Sequence, residues 1–346
     1  MAIIHRRTHG DAARTRLAAG ILVFALEFAV IVSALTAGAL ATSLSMTVLL
    51  CLPAIVVTAV IPAIWFGVPH QPVTAEGRMD WAGFALVTAA LVLIMAGLMV
   101  MRLDGPLGIR TLMLLGAGLV ALFLFARYEL AHRDPLVDLR VMGARAQWPI
   151  QVTAFLFGVS VLGAQVPLST FARTDPAITG YGLGVSAAAV SILIGVYVLC
   201  LALGALLLPL VARAVGPVRA LAVGSVLVAI GYLLFLPFHA SMAQLLTNMG
   251  IAGIGSGMLV AGLPAIAAEN APPTHTGLVT GMTNTTKTIG GAIASSVFAL
   301  ALAQGGSIGG VEDVHPPLAG YMVVWAICGV TALIAPLLLL LRTRRS

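Results

Sequence analysis

The stretch "GMTNTTKTIGGAIASS", residues 281–296, decides the fold because it places polar residues inside an apolar run that extends from residue 277 to 303. It contains Lys287, the only lysine in a chain of 346 residues. An apolar run of this length is typical of a membrane helix, which needs about 20 residues to cross the hydrocarbon core. A lysine within such a helix indicates either a functional cavity or a side chain that reaches back to the lipid headgroups.

The polar residues of this stretch fall on one side of the predicted helix. Helical periodicity groups Thr280, Asn284, Lys287, Gly291 and Ser295 near a common face. We expect this face to contact protein or a water-filled cavity, because a polar stripe is costly in hydrocarbon. Within a cavity, the Lys287 ammonium would receive an anionic group or pair with a carboxylate.

The composition is that of a membrane protein throughout. Hydrophobic residues make up 60% of the chain and charged residues 9%, whereas about a quarter of a soluble domain is charged. The mean hydropathy is +1.08. Since the apolar runs are continuous rather than alternating, they predict an all-α polytopic membrane protein, not a β-barrel. The ten predicted spans are residues 17–41, 46–68, 81–101, 108–126, 149–171, 185–209, 218–238, 243–268, 277–303 and 318–341.

Arginine is distributed unevenly around these spans. If the N-terminus is cytoplasmic, an even number of spans returns the C-terminus to the same side, and only Arg102, Arg110 and Arg173 fall on the other. Because basic loops stay in the cytoplasm, we predict that both termini are cytoplasmic. The arginines of the predicted cytoplasmic segments account for the net charge of +6. We expect no nucleic-acid partner, since the basic residues form no cluster on one face.

Four further polar side chains lie inside predicted spans. Glu27 is near the middle of the first span, where a carboxyl group could take up and release a proton. The alternative is a permanently protonated acid that is hydrogen-bonded to a neighbour. Gln165, Tyr197 and Asn248 each stand alone in an apolar span. They are candidates for lining a substrate cavity or for hydrogen bonds between helices.

Catalytic and metal-binding patterns are absent from the sequence. No nucleophile–base pair, metal cluster or carboxylate pair is predicted at membrane depth, and the histidines fall in loops or at the ends of spans. Cys51, Cys200 and Cys328 are far apart and form no Cys-x-x-Cys motif. We therefore predict that the protein is not an enzyme and holds no metal or cofactor.

Several motifs resemble the fourteen-helix drug:proton antiporter branch of the major facilitator superfamily. The start of its seventh helix is similar to "RMDWAGFALVTAALVLIMAGL" (78–98), with Asp80 and Gly83 in an Asp-x-x-Gly pattern. The segment before its ninth helix resembles "DPLVDLRVMGARAQWPI" (134–150). Two further segments resemble the family: "LVARAVGPVRAL" (210–221), which has Ala212 where the family usually has Asp, and "GLVTGMTNTTKTIGGAIASS" (277–296). In the second, Asn284, Gly290 and Gly291 match, and Lys287 stands where arginine is more usual.

This resemblance implies a domain organisation. Residues 1–68 would be a two-helix remnant of the N-terminal bundle, 69–126 the central helix pair, 127–148 a cytoplasmic linker and 149–346 a complete C-terminal six-helix bundle. The antiporter signature of the fifth helix is degenerate, since "SALTAG" (33–38) stands in its place. The first four helices of the family would be missing. The true start would then lie upstream, or the chain is truncated, or a partner chain supplies these helices.

The resemblance also implies a function, which is proton-coupled export of hydrophobic or charged small molecules across the plasma (inner) membrane by alternating access. The alternative is a non-transporting membrane remnant or scaffold. We expect Lys287, Asn284, Gln165, Tyr197 and Asn248 to line the substrate cavity and Glu27 to couple the proton. A proton gradient would then take the place of any cofactor, and the partners would be the lipid bilayer and the small-molecule substrate.

Overall fold

The structure is a computed structural model that describes residues 11–40, 45–67, 80–132, 135–272, 275–303 and 316–343. These residues are helical apart from short connections, and no β-strand occurs among them. Nine of their helices are long and apolar enough to cross a membrane. This confirms the prediction of an all-α polytopic membrane protein. The predicted second span coincides with a helix over Met46–Gly67, of which Ala54–Gly67 forms a shorter apolar segment.

The helices follow the predicted spans closely in chain order. They are α1 (Ala12–Leu40), α2 (Met46–Gly67), α3 (Trp81–Asp104), α4 (Ile109–Ala131), α5 (Leu139–Gly143), α6 (Trp148–Phe157), α7 (Gln165–Arg173), α8 (Pro176–Thr179), α9 (Ala187–Val215), α10 (Pro217–Leu234), α11 (Met242–Glu269), α12 (Thr276–Ala303) and α13 (Leu318–Thr343). A π-helical turn over Gly158–Leu162 lies between α6 and α7, so these two helices together make the predicted fifth span.

Local sequence signals set the ends of the central helices. Gly216 ends α9 with φ of 91°, a left-handed conformation that favours glycine, and Pro217 then opens α10. At the start of α11, the Ser241 hydroxyl accepts a hydrogen bond from the Gln244 backbone N–H, while the Gln244 side chain accepts from Ala240 N. This reciprocal arrangement resembles a capping box and fixes where the helix begins.

The last six spans pack into one bundle. Helix α9 lies along α11, α11 along α10, and α10 along α13, while α12 packs against α6, the π turn and α11. Helices α9 and α11 approach through glycine, because a Cβ at Gly204 would collide with Ile254 O and one at Gly257 with Leu201 O. Since lipid tails are as apolar as the side chains, such close backbone packing is a main source of helix association.

We expect the replacement Gly257→Val to push α9 and α11 apart. The new side chain would have to displace the Leu201 carbonyl, and overpacking of this kind costs about 1–3 kcal/mol. The matched control is Gly195→Val on α9, where no atom lies within 4 Å of an added Cβ. Thermal unfolding of the purified variants in detergent measures the difference. Equal melting temperatures for the two variants would contradict this account of the packing.

Helix α12 packs closely against α6 and the π turn through glycine. A Cβ at Gly158 would collide with the Lys287 carbonyl, and one at Gly290 with the Phe155 carbonyl. The Ser160 hydroxyl lies 2.9 Å from the Thr331 hydroxyl and so links the turn to α13. Because π turns often occur at functional sites, this turn indicates a candidate functional site around Lys287.

The helices before residue 132 are attached to this bundle in two different ways. Helix α1 packs directly on α9 and α11, where Gly20 sits against the Ala205 carbonyl. Helices α3 and α4 pack mainly on one another as a hairpin, which contacts α12. Residues 1–10, 41–44 and 68–79 of the two predicted N-terminal units, and 133–134 of the predicted linker, lie outside the described residues.

Candidate functional site

A cavity of about 560 Å³ lies between α1 and the six-span bundle. Its walls come from α1, α7, α9, α10, α11, α12 and the segment that joins α6 to α7. Most of the wall is aliphatic, and Leu26, Val161, Leu193 and Leu201 are representative. A cavity of this size and lining suits a small molecule with a large apolar surface.

Two opposite charges face this cavity. Glu27 projects from α1 and Lys287 from α12, and each side chain is partly buried. Their charges attract one another across the space. Within the part of the chain that the structure describes, however, neither forms a direct ion pair or hydrogen bond. Both charged groups therefore remain available to a bound molecule.

Tyr197 adds an unpartnered hydroxyl to the cavity. The residue is only 6% exposed, and its hydroxyl has no hydrogen-bond partner among the described residues. The neighbouring Ser256 hydroxyl instead donates to the Ala252 carbonyl. A buried hydroxyl without a partner is costly, so a polar group of a ligand would satisfy Tyr197 and gain affinity.

Part of the polar stripe of α12 faces the cavity. Thr280, Asn284 and Lys287 all line the cavity, and Asn284 is exposed to it. Gly291, one turn further along, sits against the Leu162 side chain instead. The turns of α12 from Thr280 to Lys287 thus form the polar side of the cavity, while the turn at Gly291 packs against the bundle.

The structure separates the other two amide candidates. Gln165, at the start of α7, lines the cavity. Asn248 does not, because its amide donates a 2.8 Å hydrogen bond to the Phe238 carbonyl at the start of the α10–α11 connection. Sequence reasoning missed Tyr232 and Ser169, which also line the cavity. Their signal was a polar group in an apolar span, the same signal that singled out Tyr197.

Metal chemistry finds no support at this site. Among the residues that the structure describes, no three histidine, cysteine, aspartate or glutamate side chains form a group that could hold a metal ion. The arrangement is suited to binding, through one carboxyl, one ammonium and several neutral polar groups around an apolar space.

One end of the interface between α1 and the bundle is closed by an ion pair that sequence reasoning did not identify. Arg16 Nη1 donates to both carboxylate oxygens of Glu269 at 2.8 Å. Each side chain is only 14% exposed. The pair joins the first turns of α1 to the last turn of α11 and so fixes α1 against the bundle beside the cavity.

We expect removal of one partner of this ion pair to destabilise the protein more than removal of both. Arg16→Gln leaves the Glu269 carboxylate buried without a counter-charge, at a cost of about 3 kcal/mol. The double variant Arg16→Gln/Glu269→Gln removes both charges, so it should melt at a higher temperature than either single variant. A double-mutant cycle of melting temperatures tests this. Strict additivity of the two single effects would show that the pair contributes nothing.

Comparison with known proteins agrees with this architecture. The family model described as Major Facilitator Superfamily matches residues 150–346, which include α7, α9, α10, α11, α12 and α13. No curated protein matches the chain. The match covers more than half of the sequence and the whole bundle that forms one side of the cavity. The chain therefore belongs to the Major Facilitator Superfamily and is a multi-pass membrane protein of a transporter family.

Proposed function

We propose that this protein exports amphiphilic small molecules in exchange for protons, by alternating access around the cavity between α1 and the bundle. The observation that carries this proposal is that Glu27 and Lys287 face the same cavity without forming an ion pair. A transporter that couples two solutes needs a site at which binding of one changes the affinity for the other. A carboxyl and an ammonium group that face one cavity meet this need, because a proton on the carboxyl changes the field that a charged substrate meets.

Glu27 is the proposed proton carrier. When it is ionised, the cavity holds a negative and a positive charge that attract one another. When it takes up a proton, the Lys287 ammonium stands without that counter-charge. The two states of Glu27 therefore present different electrostatic fields to a substrate. The proton gradient across the membrane would supply the energy, and no cofactor is required.

The substrate is proposed to be mostly apolar with one charged or strongly polar end. The aliphatic wall would take the apolar part. The polar side, formed by Asn284, Lys287 and the unpartnered Tyr197 hydroxyl, would orient the other end. Because few directed hydrogen bonds are available, molecules of varied shape should be accepted, as in multidrug transport.

The proposal includes a plasma (inner) membrane location with both termini in the cytoplasm, which rests on the arginine distribution around the spans. On this orientation the Arg16–Glu269 ion pair closes the cytoplasmic end of the interface. Alternating access also needs a second group of helices that moves against the bundle. Helix α1 is the member of that group that lines the cavity.

The test is transport in proteoliposomes. The purified full chain is reconstituted with a pH-sensitive dye inside, a pH gradient is imposed, and lipophilic cations, anions and neutral compounds are added in turn. We expect at least one class to cause proton flux above that of empty liposomes. The matched control is the double variant Glu27→Gln/Lys287→Ala, which keeps the apolar wall but removes both charges.

Absence of flux for every compound, with protein that is folded by thermal unfolding, would contradict the proposal. It would favour the non-transporting scaffold instead. Flux that the double variant retains in full would place the coupling site elsewhere in the chain.

A further inference from the structure

Two buried carboxyl groups meet where the α3–α4 hairpin joins the connection to the bundle. Asp80 immediately precedes α3 and is 7% exposed, while Glu129 lies in the last turn of α4 and is 2% exposed. A Cβ at Gly83 would collide with both Asp80 Oδ2 and Glu129 Oε1. The two oxygens lie 2.3 and 2.6 Å from that Cβ position, so they are at most 4.9 Å apart.

The two facing oxygens are the ones without a partner. Asp80 Oδ1 accepts from Gly83 N at 2.8 Å and from the Tyr128 hydroxyl at 3.2 Å. Glu129 Oε2 accepts from Val137 N at 3.3 Å. By contrast, Asp80 Oδ2 and Glu129 Oε1 are buried and have no hydrogen-bond partner among the described residues. Two ionised carboxylates in this arrangement would repel one another in a poorly solvated place, which is costly.

The geometry points to a proton-binding site, separate from the cavity, in which Glu129 is protonated and donates a hydrogen bond from Oε1 to Asp80 Oδ2. A single proton gives both unpartnered oxygens a partner and removes the repulsion. A metal ion explains the pair less well, because no third histidine, cysteine, aspartate or glutamate completes a metal-binding group within the described residues.

Helix geometry decides which of the two groups carries the proton. Asp80 caps the N-terminus of α3, where the helix dipole and two donors stabilise a negative charge. Glu129 lies at the C-terminal end of α4, where the dipole disfavours a negative charge. With the proton on Oε1, Oε2 is left as a carbonyl oxygen, which suits its role as the acceptor for Val137 N.

Other ionisable groups lie near the pair. Tyr128 already donates to Asp80. The His132 ring stacks on Tyr128 at 5.0 Å, and a positive charge on this ring would favour the ionised form of Glu129 and so oppose its protonation. The Arg140 guanidinium donates to the Leu130 carbonyl. Among the other described ionisable groups on these elements, Arg127 on α4 is exposed, and Asp138 before α5 lies 3.7 Å from the His275 ring nitrogen. Asp104 and Arg110 lie at the opposite end of the hairpin, Arg145 follows α5, and Lys287 on α12 faces the cavity.

Infrared spectroscopy of the purified full chain at neutral pH tests the protonation directly. We expect a carbonyl stretch of a protonated carboxylic acid that shifts in D₂O and is missing from Glu129→Gln. Glu27 and Glu269 contribute equally to both proteins, so the difference spectrum isolates Glu129. The matched control is Asp104→Asn at the opposite end of the same hairpin, whose carboxylate pairs with Arg110 at 3.8 Å; its spectrum should keep the band.

Thermal unfolding provides a second measurement. In Glu129→Gln the amide N–H replaces the proton as donor to Asp80, so its melting temperature should stay within about 2 °C of wild type, whereas Glu129→Ala should lose about 5 °C or more. Raising the pH should destabilise the wild-type protein more than Glu129→Gln. An equal loss in both variants, or an identical infrared spectrum for wild type and Glu129→Gln, would overturn the proposal.

Discussion

Replacing Lys287 with alanine is expected to reduce substrate-dependent proton flux to the level of empty liposomes, at least about tenfold below wild type. Among the described residues that line the cavity, Lys287 is the only cation. Its loss removes the counter-charge of the Glu27 carboxylate, so release of the Glu27 proton into the cavity becomes unfavourable. The measurement is dye-reported flux in proteoliposomes.

Two controls separate this role from snorkelling. Lys287→Arg keeps a positive charge on a long side chain, so it should retain much of the flux. Thr285→Ala changes a neighbouring exposed residue of α12 that does not line the cavity, and its flux should equal that of wild type. Unchanged flux in Lys287→Ala would remove the lysine from the coupling mechanism and leave it as an anchor that reaches toward the headgroups.

The course of the membrane helices could be predicted from the sequence. Residues 277–303 and 318–341, for example, correspond to α12 (Thr276–Ala303) and α13 (Leu318–Thr343). The reason is physical, because backbone polar groups in hydrocarbon must be satisfied within the helix, so a continuous apolar run leaves little choice. The π turn over Gly158–Leu162 could not be predicted, since the apolar sequence continues through these residues without a local signal such as proline.

The candidate site was predictable only one helix at a time. Periodicity placed Thr280, Asn284 and Lys287 on one face, and the structure gives that face to the cavity. That Glu27 faces the same cavity depends on the packing of α1 against α9 and α11, which no local pattern encodes. Asn248 is equally isolated in an apolar span, but its amide donates a hydrogen bond to the Phe238 carbonyl and the residue does not line the cavity.

Carboxylates near the ends of helices were missed for the same reason. Glu269 pairs with Arg16 and Glu129 meets Asp80, although each pair is far apart in sequence. A charge near the end of a span is ordinarily explained by the membrane surface, so composition does not separate it from a buried partner. Only the tertiary structure shows that these groups are buried.

Replacing Glu27 with glutamine is expected to abolish the pH dependence of substrate binding and to uncouple substrate from protons. Glutamine keeps the size and polarity of the side chain, but an amide cannot exchange a proton near neutral pH. Binding of a labelled substrate should therefore persist at one affinity across the pH range, while substrate-dependent proton flux falls to background. Equilibrium binding in detergent and flux in proteoliposomes measure the two effects separately.

The charge of the substrate sets the sign of the pH dependence in the wild-type protein. A cationic substrate binds best when Glu27 is ionised, so its affinity should fall as the pH falls and Glu27 takes up a proton. An anionic substrate binds best when Glu27 carries no charge and the Lys287 ammonium has no counter-charge in the cavity, so its affinity should rise as the pH falls. Only the cationic substrate competes with the proton for Glu27, and exchange of substrate for protons requires such competition. Glu27→Asp keeps a carboxyl group and should preserve the wild-type sign, whereas a normal pH response in Glu27→Gln would assign proton coupling to another group.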